Sequence, residues 1–174
     1  CHAFWKSWLG SMRDDQFADG RIPHVIPDVL PNWAGDSPGW MDAATIIPWE
    51  VYVRTGDTNV LAQNYSMMEK LVGWYRSQSV NGLTPKIGGF GDWLQPYANK
   101  NQGDTARPFL GNAYYAHSAQ LLANAARVFP VTLLNATEAP MPISWLAAPV
   151  MYGPSRTPVT CPSKTASDSA RATA

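Results

Sequence analysis

The segment TNVLAQNYSMMEKLVGWYRSQS, residues 58–79, is the clearest structural signal in this chain. Its apolar residues recur at intervals of three and four, the spacing that places side chains on one face of an α-helix; they are Val60, Leu61, Tyr65, Met68, Leu71, Val72 and Tyr75. Gly56 and Asp57 come directly before it, and an Asp in that position is typical of a helix N-cap. The segment therefore predicts a long amphipathic helix that begins just after Asp57.

Three further helices are predicted on either side of this segment. Residues 42–55 form one, with Asp42 as its N-cap and with Pro48 either kinking it or marking its true start. Residues 2–17 and 109–129 form the outer two. Long stretches rich in Pro, Gly and Asn, residues 21–38 and 80–108, separate these helices, and no segment alternates as a strand would. The pattern predicts an all-α fold of about four helices with long loops.

The composition argues against several kinds of protein. Lys plus Arg equals Asp plus Glu at 13 each, so the basic excess typical of nucleic-acid binders is missing. No apolar run approaches the roughly 20 residues of a membrane span. Cys1 and Cys161 show no metal-ligand spacing, and His2 and His24 do not cluster with acidic residues. We expect no metal, no cofactor, no nucleic acid and no membrane partner; no pattern indicates the localisation or the oligomeric state.

Two similar motifs lie in the long loops: GWMD at residues 39–42 and FGDW at residues 90–93. Each places an indole beside a carboxylate, and this pairing suits a pyranose, whose C–H face stacks on a ring while its hydroxyls donate to an acid. The alternative is that both Trp side chains fill a core and both Asp side chains cap turns. The motifs make Trp40, Asp42, Asp92 and Trp93 the candidate substrate-binding residues.

Together with other ordered blocks, these motifs resemble the catalytic domain of bacterial and fungal α-L-rhamnosidases. The resemblance extends from residue 4 to about residue 129, and its main blocks are FWKSWL at 4–9, GWMDA at 39–43, IIPW at 46–49, FGDWL at 90–94 and NAYYA at 112–116. It implies a partial (α/α)6 barrel of the six-hairpin glycosidase type. The family usually has Gly where Met41 stands, which puts the local backbone geometry in question.

The resemblance also implies an activity, the release of terminal α-L-rhamnose from glycosides with inversion. Inversion uses two carboxylic groups roughly 6.5–9.5 Å apart, one as general acid and one as general base. In the family, the acid lies in an upstream Arg/Glu-rich motif ending Gly-Trp-x-Gly-Asp, and the base is a Glu well downstream. Neither motif occurs in this sequence, so we assign no catalytic residue and expect the chain alone to be inactive. A non-catalytic carbohydrate-binding remnant of the same barrel is the alternative.

The residues that carry over from the family are those of the pocket wall. Trp40 and Trp93 match tryptophans that pack against the rhamnose ring and its methyl group. Asp42 and Asp92 match the acids of the same blocks, and we expect them to bind the sugar or to orient its binding residues. One apolar contact with the methyl group would favour rhamnose over a 6-hydroxy hexose by about 1–3 kcal/mol. The expected partner is a rhamnose-containing glycoside.

The last part of the chain differs in composition. From residue 131 onward it holds six of the fifteen prolines, with much Ser and Thr and no helical period. We therefore divide the chain into residues 1–130, part of an (α/α)6 glycosidase domain, and residues 131–174, an irregular or disordered tail. A truncated or frame-shifted reading of a longer gene would explain such a tail.

Overall fold

The computed structural model describes residues 1–30, 35–98 and 103–129 of the chain. These residues form four α-helices, which are α1 (His2–Asp15), α2 (Ala43–Thr55), α3 (Thr58–Ser77) and α4 (Arg107–Val128). Within the same ranges the only strand-like feature is an isolated antiparallel bridge between Val80 and Leu83. The predicted all-α class is confirmed. The predicted tail, residues 131–174, lies outside the described residues.

The helix ends agree with the sequence pattern to within two residues, but one of the two predicted caps is wrong. Asp57 caps α3 as predicted, because its carboxylate accepts a hydrogen bond from the Asn59 backbone N–H at 3.0 Å. Asp42 occupies the N-cap position of α2, but its backbone is already helical and its side chain does not make the predicted hydrogen bond to the first turn. Pro48 lies inside a continuous α2, so the alternative in which the helix begins at Pro48 is also wrong.

Helix α3 is the centre of the core and packs against the other three helices. Six of its seven predicted stripe residues are buried, and the seventh, Tyr65, is half-buried against the same core. Leu9 and Met12 of α1 pack into this core with 0% and 1% of their surface exposed. Burial of such side chains stabilises the fold by roughly 1.5–3 kcal/mol each. No helix in the described ranges is long and apolar enough to cross a membrane.

The loop after α1 is held closely against α3. Gly20 has a φ of +100°, and a Cβ at this position would collide with the Lys70 backbone carbonyl. The Gln16 side-chain amide donates to the carbonyls of Gly20, at 2.9 Å, and Met67, at 3.1 Å. A glycine is required here because the backbone turns through the left-handed region at close approach. These contacts fix the start of the loop that carries His24.

Candidate functional site

The two tryptophans of the loop motifs are stacked against each other. The ring centroids of Trp40 and Trp93 are 6.1 Å apart and the ring planes differ by 24°, although the residues are 53 positions apart in sequence. Phe90 contacts both, at centroid distances of 5.1 Å from Trp40 and 5.4 Å from Trp93. The His24 ring lies 4.7 Å from Phe90 on the opposite loop. We call these four residues the aromatic wall.

The aromatic wall is open to solvent on its Trp93 side. Trp93 is 51% exposed, and Trp40, Phe90 and His24 are half-buried. The alternative in which both indoles fill a core therefore fails for Trp93. A sugar held between two rings would need centroids roughly 8–9 Å apart, since each apolar contact takes about 4.0–4.5 Å. At 6.1 Å the two indoles form one wall and not a clamp.

A single buried serine joins the two loops that form the wall. The Ser37 hydroxyl accepts a hydrogen bond from the Phe90 backbone N–H at 3.0 Å, and its carbonyl accepts from the Trp40 N–H at 3.2 Å. Ser37 is 0% exposed, and Gly89 packs so closely on it that a Cβ at residue 89 would collide. No motif in the sequence singles out Ser37. Its role follows only from the meeting of two distant loops.

The turn before Trp40 depends on Gly39 and not on residue 41. Gly39 has a φ of +85°, and a Cβ there would lie 3.1 Å from the Tyr114 ring. Met41 lies outside the positive-φ residues and is fully buried in the core. The family's usual Gly at this position is therefore replaced without backbone strain, because the left-handed residue of the turn is two positions earlier.

Asp42 is fully buried, and its carboxylate is the meeting point of three donors. Its Oδ2 accepts from the Gly39 N–H at 2.8 Å and from the Tyr75 hydroxyl at 2.9 Å, while its Oδ1 accepts from the Ser118 hydroxyl. The Thr45 and Ser118 hydroxyls lie 2.8 Å apart. Burial raises the pKa of Asp42 above its ordinary value, and the bonds from Ser118, Gly39 and Tyr75 offset part of this rise. Of the two roles expected for Asp42, this geometry fits orientation.

Asp92 lies in a loop and is held differently from Asp42. Its Oδ2 accepts from the Thr105 hydroxyl at 2.6 Å. Its Oδ1 has no hydrogen-bond partner in the part of the chain that is described, and Gly103 packs directly against it. A buried acceptor without a partner is destabilising by roughly 1–3 kcal/mol. Among the described residues, Asp92 is therefore the acid of the two that has an oxygen without a hydrogen-bond partner.

Comparison with known proteins assigns the chain to a family of glycosidase domains. Residues 1–132 match the family described as the bacterial alpha-L-rhamnosidase 6 hairpin glycosidase domain. The chain belongs to this family. An alpha-L-rhamnosidase of Formosa agariphila is 46% identical over 129 residues, which are 73% of this chain and 14% of that relative. The four helices are thus part of a six-hairpin glycosidase fold, and the chain spans about one seventh of the length of that rhamnosidase.

Two solved rhamnosidase structures resemble the four helices and their loops. The structure of alpha-L-rhamnosidase from Dictyoglumus thermophilum gives a TM-score of 0.67 at 25% identity and covers 73% of this chain and 14% of its own. The Streptomyces avermitilis alpha-L-rhamnosidase complexed with L-rhamnose gives a TM-score of 0.63 at 33% identity, covering 72% of this chain and 12% of its own. Both support the partial six-hairpin barrel that the sequence blocks predict.

Proposed function

We propose that this chain supplies one wall of the sugar pocket of a glycoside hydrolase that releases terminal α-L-rhamnose with inversion. The observation that carries the proposal is the stacked pair of indoles, Trp40 and Trp93, at a centroid distance of 6.1 Å. The exposed indole of Trp93, stacked against Trp40, offers a ring of the kind that packs on the C–H face of a pyranose. Membership of the rhamnosidase family supports rhamnose as the sugar.

The wall accounts for a preference for a 6-deoxy sugar. Rhamnose carries a methyl group where a hexose carries a hydroxymethyl group, and a methyl group loses no hydrogen bond to water when it packs on an indole. A hydroxyl forced against the same surface would be desolvated without a partner. We expect this contact to favour rhamnose by about 1–3 kcal/mol.

The two acids have different roles in this proposal. Asp42 orients the turn that carries Trp40, because it is 0% exposed and already accepts three hydrogen bonds. Asp92 accepts a sugar hydroxyl beside Trp93 through Oδ1, the oxygen that has no partner among the described residues. Oδ1 is shielded in this structure, so its use requires the adjacent Gly103 backbone to shift.

The general acid and general base belong to the whole protein's pocket and not to this chain. Neither family motif for these groups occurs in the sequence. We therefore expect the 174-residue chain to bind L-rhamnose without hydrolysing an aryl α-L-rhamnoside. Turnover that disappears on changing Asp92 to Asn would contradict this division of roles.

Titration of the chain with L-rhamnose, followed by tryptophan fluorescence, tests the proposal. We expect saturable quenching that is lost in Trp40→Ala and in Trp93→Ala. Trp49→Phe is the control, because the Trp49 ring packs against Tyr52 and the core, and the substitution also removes one fluorophore. L-mannose, which adds a 6-hydroxyl to the same ring configuration, should bind about tenfold or more weakly. Quenching that is unsaturable, or equal in all four proteins, would reject the sugar-binding wall.

A further inference from the structure

We propose that Tyr75 and Ser118 are positioning residues for sugar binding, which act through the Asp42 carboxylate to hold the Gly39–Trp40 turn in its binding geometry. This inference rests on the proposed function. It assigns a role to two residues that lie on helices, far in sequence from both loop motifs.

The hydrogen bonds to Asp42 tie one loop to two helices. Gly39 lies in the turn before α2, Tyr75 is near the end of α3, and Ser118 is in the middle of α4. Asp42, Tyr75 and Ser118 are each 0% exposed. Because these side chains are shielded from bulk solvent, their hydrogen bonds tie the carboxylate firmly to α3 and α4.

The carboxylate in turn controls where Trp40 can lie. The Gly39 amide that bonds to Asp42 belongs to the residue immediately before Trp40, and Gly39 is also packed against the Tyr114 ring of α4. With Gly39 held from both sides, the Trp40 backbone has little freedom left. The spacing of Trp40 to Trp93 then follows from the packing of the helices and not from the loop alone.

Tyr75 is itself held in one orientation. Its ring stacks on Tyr115 of α4 at a centroid distance of 5.2 Å and an interplanar angle of 20°. Burial, together with the neighbouring Asp42, raises the pKa of the Tyr75 hydroxyl, so it stays protonated and remains a donor. A fixed ring with a permanent donor suits a residue that sets the position of its acceptor.

Two readouts on the 174-residue chain test the inference. The first is the circular-dichroism couplet of the stacked indoles, isolated as the difference between the wild-type spectrum and that of Trp40→Phe. This subtraction is necessary because Trp5 and Trp8 also lie close together, at a centroid distance of 5.8 Å. The second readout is the dissociation constant for L-rhamnose from fluorescence titration.

The variants are Tyr75→Phe and Ser118→Ala, each of which removes one hydroxyl from the cluster. We expect both to shrink the couplet and to raise the dissociation constant by about threefold to tenfold, the equivalent of one hydrogen bond. Tyr65→Phe is the matched control: it removes the same group from the same helix, about 15 Å along the axis from Tyr75 at 1.5 Å per residue. It should change neither readout. Thermal unfolding of each variant identifies any that fails to fold, and Ser118→Ala decides the question if Tyr75→Phe does not fold.

The outcomes separate the inference from the proposed function. A couplet altered by Tyr75→Phe or Ser118→Ala but not by Tyr65→Phe supports positioning of Trp40, even if the wild-type chain does not bind rhamnose and the proposed function fails. A couplet and a dissociation constant that stay at the wild-type values in folded Tyr75→Phe and Ser118→Ala would overturn the inference. The same holds if Tyr65→Phe changes the couplet as much as Tyr75→Phe, because the effect would then be general to α3.

Discussion

Replacing Asp42 by Ala should destabilise the fold more than replacing it by Asn, although Asn removes the same charge. Asp42→Ala leaves the donors of Gly39, Tyr75 and Ser118 without their acceptor. Ser118 can turn to the Thr45 hydroxyl 2.8 Å away, so two donors stay unsatisfied. Each unsatisfied donor destabilises the fold by roughly 1–3 kcal/mol. Removing the carboxylate also removes the cost of burying it, so we expect the free energy of unfolding to fall by about 2–4 kcal/mol.

Asp42→Asn can keep every hydrogen bond of the cluster. Its amide oxygen takes the place of Oδ2 and accepts from Gly39 and Tyr75. Its amide nitrogen then donates to Ser118, the Ser118 hydroxyl donates to Thr45, and the Thr45 hydroxyl donates to the backbone carbonyl of residue 42, which lies 3.0 Å from it. One N–H of the new amide is left without a partner, against two donors in Asp42→Ala, so we expect this variant to lose about 1–2 kcal/mol near neutral pH.

The wild type and Asp42→Asn should also differ in how their stability depends on pH. The folded chain holds the Asp42 proton more tightly than the unfolded chain does, because burial raises its pKa above the ordinary value of 3.8. The stability that this proton contributes is fully present below 3.8 and is lost as the pH rises through the folded pKa. As the pH falls through that folded value, the wild type should therefore gain stability relative to Asp42→Asn.

Urea denaturation, followed by circular dichroism at a series of pH values, measures the free energy of unfolding of the wild type, Asp42→Ala and Asp42→Asn. The reasoning is refuted if Asp42→Ala unfolds within about 0.5 kcal/mol of the wild type, a change typical of unremarkable surface positions. It is equally refuted if Asn is as damaging as Ala. A wild type that loses stability relative to Asp42→Asn on acidification would show that the sign of the pKa shift is wrong.

Two further substitutions test how the turns are built. Ser37→Ala removes the acceptor of the Phe90 N–H. We expect it to lower the free energy of unfolding in urea by about 1–2 kcal/mol and to shrink the circular-dichroism couplet of the indoles. A variant as stable as the wild type, with an unchanged couplet, would show that Ser37 does not join the loops. Gly39→Ala should be more destabilising than Gly56→Ala in thermal unfolding. Both residues have positive φ, which costs an added side chain about 1–2 kcal/mol, but only Gly39 also faces a ring, that of Tyr114. Equal losses would mean that contact with Tyr114 does not constrain the turn.

The helices and the two candidate indoles could be predicted from sequence because both leave local signals. Periodic apolar residues mark α3 and the motifs mark Trp40 and Trp93. The partners of Asp42 leave no such signal: Tyr75 and Ser118 are 33 and 76 residues away, and each reads as an ordinary helix position. The family resemblance predicted Trp40 and Trp93 as pocket-wall residues, but not the His24 and Phe90 rings beside them, and the hydrogen bonds behind the wall depend on how the helices pack.

The wrong N-cap at Asp42 shows why local chemistry was insufficient. An Asp directly before a helix has the same sequence signature whether its carboxylate turns to the first-turn amides or to a neighbouring helix. The Asp57 carboxylate turns to the first-turn amides because it is near the surface and the Asn59 N–H lies 3.0 Å away. The Asp42 carboxylate turns to the neighbouring helices because it is buried beside the hydroxyls of Tyr75 and Ser118. A buried carboxylate is stabilised by the hydrogen bonds that it accepts.

The two Trp-Asp motifs look equivalent in sequence but divide the wall into unlike halves. In the first, Asp42 follows Trp40 into the start of α2, so the acid is drawn into the core and the indole is tied to three helices. In the second, Asp92 precedes Trp93 within a loop and is bonded to another loop residue, Thr105. Trp93 is consequently the more exposed indole, at 51%. Under the proposed function, we expect the Trp40 half to fix the orientation of the sugar and any closure to come from the Trp93 half, because moving Trp40 would break hydrogen bonds in the core.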